Sequence, residues 1–448
     1  MSQVLHGNIA KYILKQSGVL LLGVLMMASF MLIDVYFISQ LGSHALTAIS
    51  YATPVMTLLV SMLLGIGAGM VVVVANAAGR NKIKKLHSLI VSCFSFALGF
   101  GLLMWGVLSL GSRALFVQLG ARKDVLSELM AYFDILVPGL FFLCLLVAVT
   151  SLARALGNHK LLTYTMLVLV AINAVLDPLL IFGYAGFPKL GIAGAAWATT
   201  LAIFVSMWIP VPYLWKELKQ NTSISWASVN AFRWRPIVVM AFPIALTNVM
   251  VPLGNTLFVK LLSHFGNAAV SAYGAGSRID MLVILSFTSL TSVMAPFIGQ
   301  NLGALKHERA QKGLQYGISY AFALGVVAAF VISFFREDIS AIFATDAATF
   351  KALNNYLSIV PWGYAVNGFV MISLTVLNVY LRPWWATALG LCHLFLFYLP
   401  FAYGAVLLDS YDGILAAYPL SHLLAAVISY LLISKVSEVK MVEVEVSR

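Results

Sequence analysis

The sequence predicts an all-α integral membrane protein with 12 transmembrane helices in two pseudo-symmetric six-helix lobes. Three observations predict this fold class. Hydrophobic residues make up 61% of the 448 residues and charged residues only 10%, whereas soluble domains carry about 25% charged residues. The apolar runs each provide the ~20 residues that a helix needs to cross a bilayer. The two halves of the chain also repeat each other weakly.

The apolar runs follow one another along the chain, separated by short polar connections. A helix satisfies its own backbone groups inside a bilayer, so each run is interpreted as a membrane-spanning helix. The first run lacks a small-residue cleavage site and continues through Asp34, so it is interpreted as a span and not as a signal peptide. The predicted spans are 13–38, 50–76, 88–110, 130–152, 161–183, 190–214, 236–262, 269–298, 315–335, 354–379, 384–408 and 413–434.

Lysines and arginines are unevenly distributed between the two sides of these spans. Most of the 27 fall on one side when the N-terminus is placed in the cytoplasm. This bias predicts that both termini are cytoplasmic. The net charge of +11 is then explained by topology, so we expect the lipid bilayer as a partner and no nucleic acid.

Short motifs at the ends of spans recur in the second half of the chain. LVPG around Pro138 corresponds to IVPW around Pro361, and QLGSHALTA around Gly42 corresponds to HFGNAAVSA around Gly266. The repeat predicts an N-terminal lobe at 1–220 and a C-terminal lobe at 221–448. With six spans in each half, the repeats would be parallel, which is typical of transporters that bind substrate near the membrane midplane.

Two acidic residues lie within otherwise apolar spans of the first half. Asp34 occurs in the first span and Asp177 in the fifth. A charged residue at the bilayer centre costs about 2.5–3.5 kcal/mol on insertion scales, so such residues are usually functional. Burial in a low-dielectric environment disfavours a charged carboxylate. The two acids therefore predict a polar site visited by a proton or another cation.

Asn173 precedes Asp177 by four residues, so both side chains share one face of the fifth helix. Pro178 cannot donate a backbone hydrogen bond to the carbonyl of Ala174 and is expected to kink the helix. The freed carbonyl and the two side chains could hold a proton, a water molecule or a sodium ion. Alternatively, Asn173 only satisfies the free carbonyl.

Other polar residues gave weaker signals. Asp280 lies close to Arg278 at the start of the eighth span, and a local ion pair is expected there. Met31 offers a soft side chain just before Asp34. The three cysteines form no metal-binding spacing, and no HExxH, GxSxG or Walker motif occurs. We therefore expect no enzymatic activity, no metal and no cofactor beyond a coupling ion.

Several motifs in the same order resemble the MATE family of multidrug and toxic-compound extrusion transporters, and its DinF-like branch in particular. They are IDVYFISQLG (33–42), ARALGN (153–158), NAVLDPLLIFG (173–183), LGIAGAAWATT (190–200) and APFIGQNLGA (295–304). The resemblance implies the V-shaped MATE fold and export coupled to an inward cation gradient, in a bacterial inner (plasma) membrane.

The resemblance also implies a set of site residues. The family's cation site falls on Asp34, Asn173, Asp177 and Thr199. The substrate cavity is expected to include Tyr36, Tyr132, Thr150 and Met31. The chain departs from many relatives in lacking a proline early in the first span, where it reads Lys15-Gln16-Ser17-Gly18. Bending of that helix at a proline is therefore not implied.

The resulting hypothesis is a monomeric secondary active antiporter that exports amphiphilic organic cations and drugs in exchange for protons. Sodium is the alternative coupling ion. A flippase for lipid-linked precursors is a second alternative, but it would need a cationic cavity, and few lysines or arginines lie at midplane depth. A membrane channel or structural protein without coupled transport is a third alternative.

Overall fold

A computed structural model describes residues 2–80, 83–121, 123–219, 233–344 and 346–438, without the side chains of residues 2–3, 30–32, 43, 83, 123–124 and 437–438. These residues are helical, with no β-strand among them. The α-helices are α1 (Ser2–His6), α2 (Ile9–Ser39), α3 (Ser43–Gly79), α4 (Ile83–Gln118), α5 (Lys123–Ala155), α6 (His159–Phe182), α7 (Ile192–Met207), α8 (Val211–Lys219), α9 (Arg235–Leu262), α10 (Asn267–Gly303), α11 (His307–Phe334), α12 (Arg336–Phe343), α13 (Ala347–Ile359), α14 (Tyr364–Val379), α15 (Pro383–Leu391), α16 (Leu399–Leu407) and α17 (Tyr411–Glu438).

Twelve helical segments within the described residues are long and apolar enough to cross a membrane. They correspond one for one to the predicted spans, so the predicted fold class is confirmed. Most helices extend beyond the apolar run that predicted them. For example, α3 covers Ser43–Gly79, whereas the prediction was 50–76. The flanking residues continue the helical hydrogen bonds beyond the apolar run.

Four spans consist of more than one helical segment. The seventh continues from α9 into a 3₁₀ turn at Ser263–Phe265. The sixth combines α7 and α8. The tenth combines α13 and α14, which are joined by a 3₁₀ turn at Val360–Gly363. The eleventh contains a π-helix at Cys392–Tyr398 between α15 and α16. Broken or π-helical backbone in a membrane span is often associated with function.

Five connections after helices share one backbone geometry. The second residue after the helix has a positive φ in each, at Gly120, Gly157, Leu305, Leu381 and Asp409. The amide of that residue donates to the carbonyl three residues earlier, and the next amide donates to the carbonyl five residues before it. This is the Schellman motif, in which glycine is usual at the positive-φ position because it has no Cβ.

The helices pack into two compact units. The N unit is Gly18–Ala241, and the C unit comprises Met1–Ser17 and Phe242–Arg448. The predicted lobes were 1–220 and 221–448, and their junction falls within residues 220–232, outside the described residues. The lobe boundaries therefore stay a prediction. The observed units differ from it chiefly because the first 17 residues pack with the second half of the chain.

The N-terminal segment is held in the C unit by side chains of α10, of α11 and of the turn between them. Asn301 Nδ2 donates to the carbonyl of Val4 (3.3 Å), Arg309 Nε to the same carbonyl (3.1 Å), and Lys306 Nζ to the carbonyl of Leu5 (3.0 Å). These carbonyls lie at the C-terminal end of α1, where positive side chains are favoured. The ring of Tyr12 continues the contact against Phe297.

Candidate functional site

The fifth span places two polar side chains in the interior of the N unit. Asn173 and Asp177 are both fully buried on α6. Asn173 Nδ2 donates to Asp177 Oδ1 over 3.1 Å and lies 3.3 Å from Thr199 Oγ1 on α7. The predicted spacing therefore brings Asn173 and Asp177 together, and Thr199 joins them. The helix runs from His159 to Phe182 through Pro178.

Close approach of α6 and α7 allows the contact with Thr199. A Cβ at Gly194 would lie 2.4 Å from the carbonyl oxygen of Leu180, so only glycine fits this backbone contact. The amide of Leu190 also donates to the Leu180 carbonyl over 2.9 Å. Small residues at helix interfaces let backbones approach in this way.

Asp34 reaches the same level of the N unit on the first span. Thr163 Oγ1 on α6 donates to the carbonyl of Val19 on α2 over 2.8 Å, and Gly23 also lies against Thr163. The first and fifth spans cross the membrane in the same direction. Asp34 follows Val19 by 15 residues, and Asp177 follows Thr163 by 14, so the two carboxyls lie at similar depth. Electrostatic interaction between them is consistent with this placement.

Three oxygen atoms of this site are buried and accept no hydrogen bond from any described residue. They are Asp34 Oδ1, Asn173 Oδ1 and Asp177 Oδ2. A buried acceptor without a donor costs about 1–3 kcal/mol. Two ionised carboxylates in a low-dielectric setting also repel each other. A proton or a small cation relieves both penalties, so this site is chemically suited to bind one.

The donor set fits a proton or a sodium ion better than a transition metal. Oxygen atoms of carboxylates, amides and hydroxyls are ligands for hard cations. Among the described residues, no group of three or more His, Cys, Asp and Glu side chains could hold a metal ion. We use "coupling site" for Asp34, Asn173, Asp177 and Thr199.

Tyr132 on α5 borders the coupling site. Its side chain is 8% exposed within the apolar core of the N unit, and it interacts electrostatically with Asp34 and Asp177. The structure therefore places this predicted cavity residue within electrostatic reach of both acids. A phenolic hydroxyl there can donate a hydrogen bond to a carboxylate.

The remaining predicted cavity residues lie elsewhere or are already engaged. Tyr36 is 61% exposed, with its ring packed against Phe37. Thr150 is buried, and its hydroxyl donates to the carbonyls of Leu146 and Val147 on its own helix. The Met31 side chain lies outside the described residues. Their roles stay predictions, and of the three cavity residues whose side chains are described, only Tyr132 interacts electrostatically with the acids.

The ion pair expected between Asp280 and Arg278 is wrong. Asp280 is 8% exposed on α10 and accepts hydrogen bonds from the hydroxyls of Tyr356 and Tyr364, whereas Arg278 is exposed. Sequence reasoning missed this site because Arg278 is only two residues away and offered a local partner. The argument that singled out Asp34, an acid within an apolar span, would also have found Asp280.

Sequence comparison finds a matching protein family and related transporters. A sequence model of the MatE family matches residues 20–179 and 243–404. The chain is 31% identical to the FAD transporter of Shewanella oneidensis over 444 residues, which cover 97% of this chain and 96% of that protein. It is 26% identical to the multidrug export protein MepA of Staphylococcus aureus over 357 residues, or 78% of this chain and 77% of that protein.

Solved structures agree with the sequence comparison. The Vibrio cholerae MATE transporter VcmN in the bent form has a TM-score of 0.86 and 25% sequence identity, with 96% of this chain and 97% of that chain covered. An outward-facing multidrug resistance MATE transporter has a TM-score of 0.86 at 20% identity, which compares the fold alone.

Proposed function

The chain belongs to the MATE family of multi-pass membrane transporters, and from this premise we propose that it exports amphiphilic organic cations in exchange for protons. The observation that carries the proposal is the coupling site, where two carboxyls and an amide present three buried oxygen atoms without donors. Such a site binds positive charge and offers none in return. A proton arriving down its gradient and a cationic substrate leaving the cell can compete for it.

Protonation of the coupling site would change hydrogen bonds between helices. An ionised Asp177 accepts from Asn173, whereas a protonated Asp177 can also donate. Asp34 stands on α2 and Asp177 on α6, so one proton shared between them alters how these helices hold each other. The coupling step is therefore a change in helix packing within the N unit that follows the proton.

Flavin nucleotide export is a second candidate function, because the relative named as an FAD transporter is similar over nearly the full chain. FAD carries a pyrophosphate, which calls for a cationic partner. Arg154 has a buried Nε without an acceptor among the described residues, and its Nη2 donates to Ser151 Oγ over 2.9 Å. This guanidinium is a candidate contact for a phosphate group.

Sodium is the alternative coupling ion, since the same oxygen atoms suit either cation. The proposed setting is the inner membrane of a bacterium, with both termini in the cytoplasm and the transporter acting as a monomer. A flippase for lipid-linked precursors would share the need for a cationic contact with the flavin candidate.

Proton movement induced by substrate in proteoliposomes tests the proposal. Purified protein is reconstituted with a pH-sensitive dye inside the vesicles, and ethidium or FAD is added with or without a sodium gradient. We expect ethidium to release protons from the wild type, and Asp34→Asn to abolish the response. Asp134→Asn is the matched control, because Asp134 is an exposed acid of the same unit.

Other outcomes would redirect the proposal. A response that needs sodium and moves no protons would keep the site and replace the coupling ion. Transport of FAD without any response to ethidium, lost in Arg154→Gln, would establish the flavin candidate. Wild-type proton release by Asp34→Asn would contradict the role of the coupling site.

A further inference from the structure

The tenth span is interrupted in the middle of the C unit. Helix α13 ends at Ile359, a 3₁₀ turn covers Val360–Gly363, and α14 begins at Tyr364. Pro361 lacks a backbone donor, which explains why the α-helical ladder stops there. Val360, Pro361 and Gly363 are buried, as irregular backbone at membrane depth must be.

Asp280 bridges this interruption from the neighbouring helix α10. Its Oδ2 accepts from the hydroxyl of Tyr356, on α13 before the break. Its Oδ1 accepts from the hydroxyl of Tyr364, the first residue after the break. One carboxyl therefore fixes both ends of the interrupted span.

The packing around the bridge is close. Tyr356 and Tyr364 are 2% and 0% exposed. A Cβ at Gly276, one helical turn before Asp280, would lie 2.3 Å from Cε1 of Tyr356, so this glycine lets the ring approach α10 closely. Both carboxylate oxygens are already engaged. The ligand considered for this buried carboxyl is therefore a proton.

The hydrogen-bond partners of the Asp280 carboxyl are neutral hydroxyl groups. Five tyrosines interact with it electrostatically: Tyr273 on α10, Tyr356 on α13, Tyr364 on α14, Tyr398 at the end of the π-helix and Tyr418 on α17. Within the described residues the only ion pair is His264–Asp409, so no lysine or arginine among them forms an ion pair with Asp280.

We propose that Asp280 is a second proton-binding carboxyl, separate from the coupling site, and that its protonation releases the interrupted tenth span. As an anion, the carboxyl accepts from both tyrosines through charge-assisted hydrogen bonds, which are stronger than neutral ones. With a proton on one oxygen, the carboxyl is neutral, and both tyrosine hydrogen bonds lose their charge assistance. Where the new O–H points at the facing tyrosine, that tyrosine turns its own proton away. One end of the break is then held less firmly.

This inference goes beyond the proposed function and does not depend on which substrate is carried. Substitutions in the coupling site leave Asp280 and its two tyrosines in place, because these residues belong to the other unit. The experiments can therefore use purified protein without substrate, and their failure would be distinct from a failure of the transport proposal.

Infrared spectroscopy of the carboxyl band tests proton binding directly. The protein is titrated with acid in an Asp34→Asn/Asp177→Asn background, so that the carboxyls of the coupling site are silent. We expect a band of a buried protonated carboxyl that grows as the pH falls and vanishes when Asp280→Asn is added. Asp338→Asn, which removes an exposed acid of the same unit, should leave it unchanged. An identical band with and without Asp280→Asn would overturn the proposal.

Thiol labelling tests the release of the break. Trp362 lies within the 3₁₀ turn and is 48% exposed, and Phe334 is 81% exposed on α11. Trp362→Cys and Phe334→Cys are compared in a chain whose three native cysteines are replaced by alanine. The ratio of their labelling rates removes the intrinsic pH dependence of the thiol.

We expect the ratio to rise about fivefold or more at acidic pH, which is the lower end of usual coupling between sites. Asp280→Asn should give the high ratio at every pH, because it cannot act as a doubly accepting anion. Tyr356→Phe and Tyr364→Phe, which keep the packing, should each weaken the pH dependence. A ratio independent of pH and of all three substitutions would contradict the role of the bridge.

Discussion

The intramembrane acids of the two units differ in their hydrogen-bond partners. Those of the N unit each have an oxygen without a donor, whereas Asp280 of the C unit accepts from two hydroxyl groups. Asp34 and Asp177 each keep a buried oxygen without a donor. Asp280 has both oxygens engaged by tyrosines. The first arrangement is incomplete without an added positive charge, and the second is complete within the protein. Acids that look alike in the sequence, each within an apolar span, can thus differ in whether the protein supplies hydrogen-bond donors to both carboxylate oxygens.

The largest expected effect comes from removing one acid of the N unit. Asp34→Asn removes one carboxylate from the coupling site and should reduce proton-driven export on the order of 100-fold, near the upper range of coupling between sites. Export is measured as ethidium efflux from vesicles under an imposed pH gradient. Near-normal efflux by Asp134→Asn is the control, and near-normal efflux by Asp34→Asn would show that the acid is dispensable.

A second comparison uses the glycines that bring each site together. Gly194→Ala forces a Cβ against the backbone of Leu180, whereas Gly276→Ala meets the ring of Tyr356. Overpacking costs about 1–3 kcal/mol, and backbone can yield less than a side chain. We expect Gly194→Ala to lower the melting temperature more than Gly276→Ala. Gly274→Ala, with open space around it, is the control, and the reverse order would contradict the packing argument.

Single hydroxyl deletions sharpen the comparison further. Tyr364→Phe leaves one oxygen of Asp280 buried without a donor and should destabilise the protein by about 1–3 kcal/mol. Thr199→Val removes only a 3.3 Å contact of Asn173 and should cost about 0.5–1.5 kcal/mol. Thermal unfolding in detergent measures both. Equal losses would mean that Asp280 finds another donor.

The smallest expected effect concerns backbone strain and has the opposite sign. Leu305 has a φ of 59°, which is unfavourable for residues with a Cβ by about 1–2 kcal/mol. Leu305→Gly removes this strain, but glycine loses more conformational freedom on folding, which offsets part of the gain. The substitution should therefore raise thermal stability by up to about 1 kcal/mol. Gly157→Leu, at the same position of the Schellman turn after the fourth span, should lower thermal stability. A destabilising Leu305→Gly would mean that the leucine side chain contributes packing that outweighs the strain.

The fold could be predicted from the sequence because a bilayer permits few solutions. Apolar length and composition identify each span, and all twelve were found in this way. Asn173 and Asp177 could be paired because residues four apart share a helix face. The join with Thr199 depends on Gly194, whose role is visible only when the opposing backbone of Leu180 is known.

Other parts of the site could not be predicted because they depend on distant residues. Tyr356 and Tyr364 lie 76 and 84 residues from Asp280, and nothing near Asp280 in sequence indicates them. The N-terminal segment was expected to pack with the first half of the chain. Its carbonyls are instead held by Asn301, Lys306 and Arg309, and no periodicity in the sequence reports such a contact.

The recurring turn after the helices bears on the ancestry of the chain. Gly157 after the fourth span and Leu381 after the tenth occupy corresponding positions in the two halves and share one backbone geometry, although one is glycine and the other is not. A duplicated gene would first have supplied the same turn twice, and later substitutions would have changed its residues while the hydrogen bonds kept its shape. The acids of the two halves have no such correspondence. The turn after the fourth and tenth spans therefore follows the internal repeat of the chain, whereas the intramembrane acids do not.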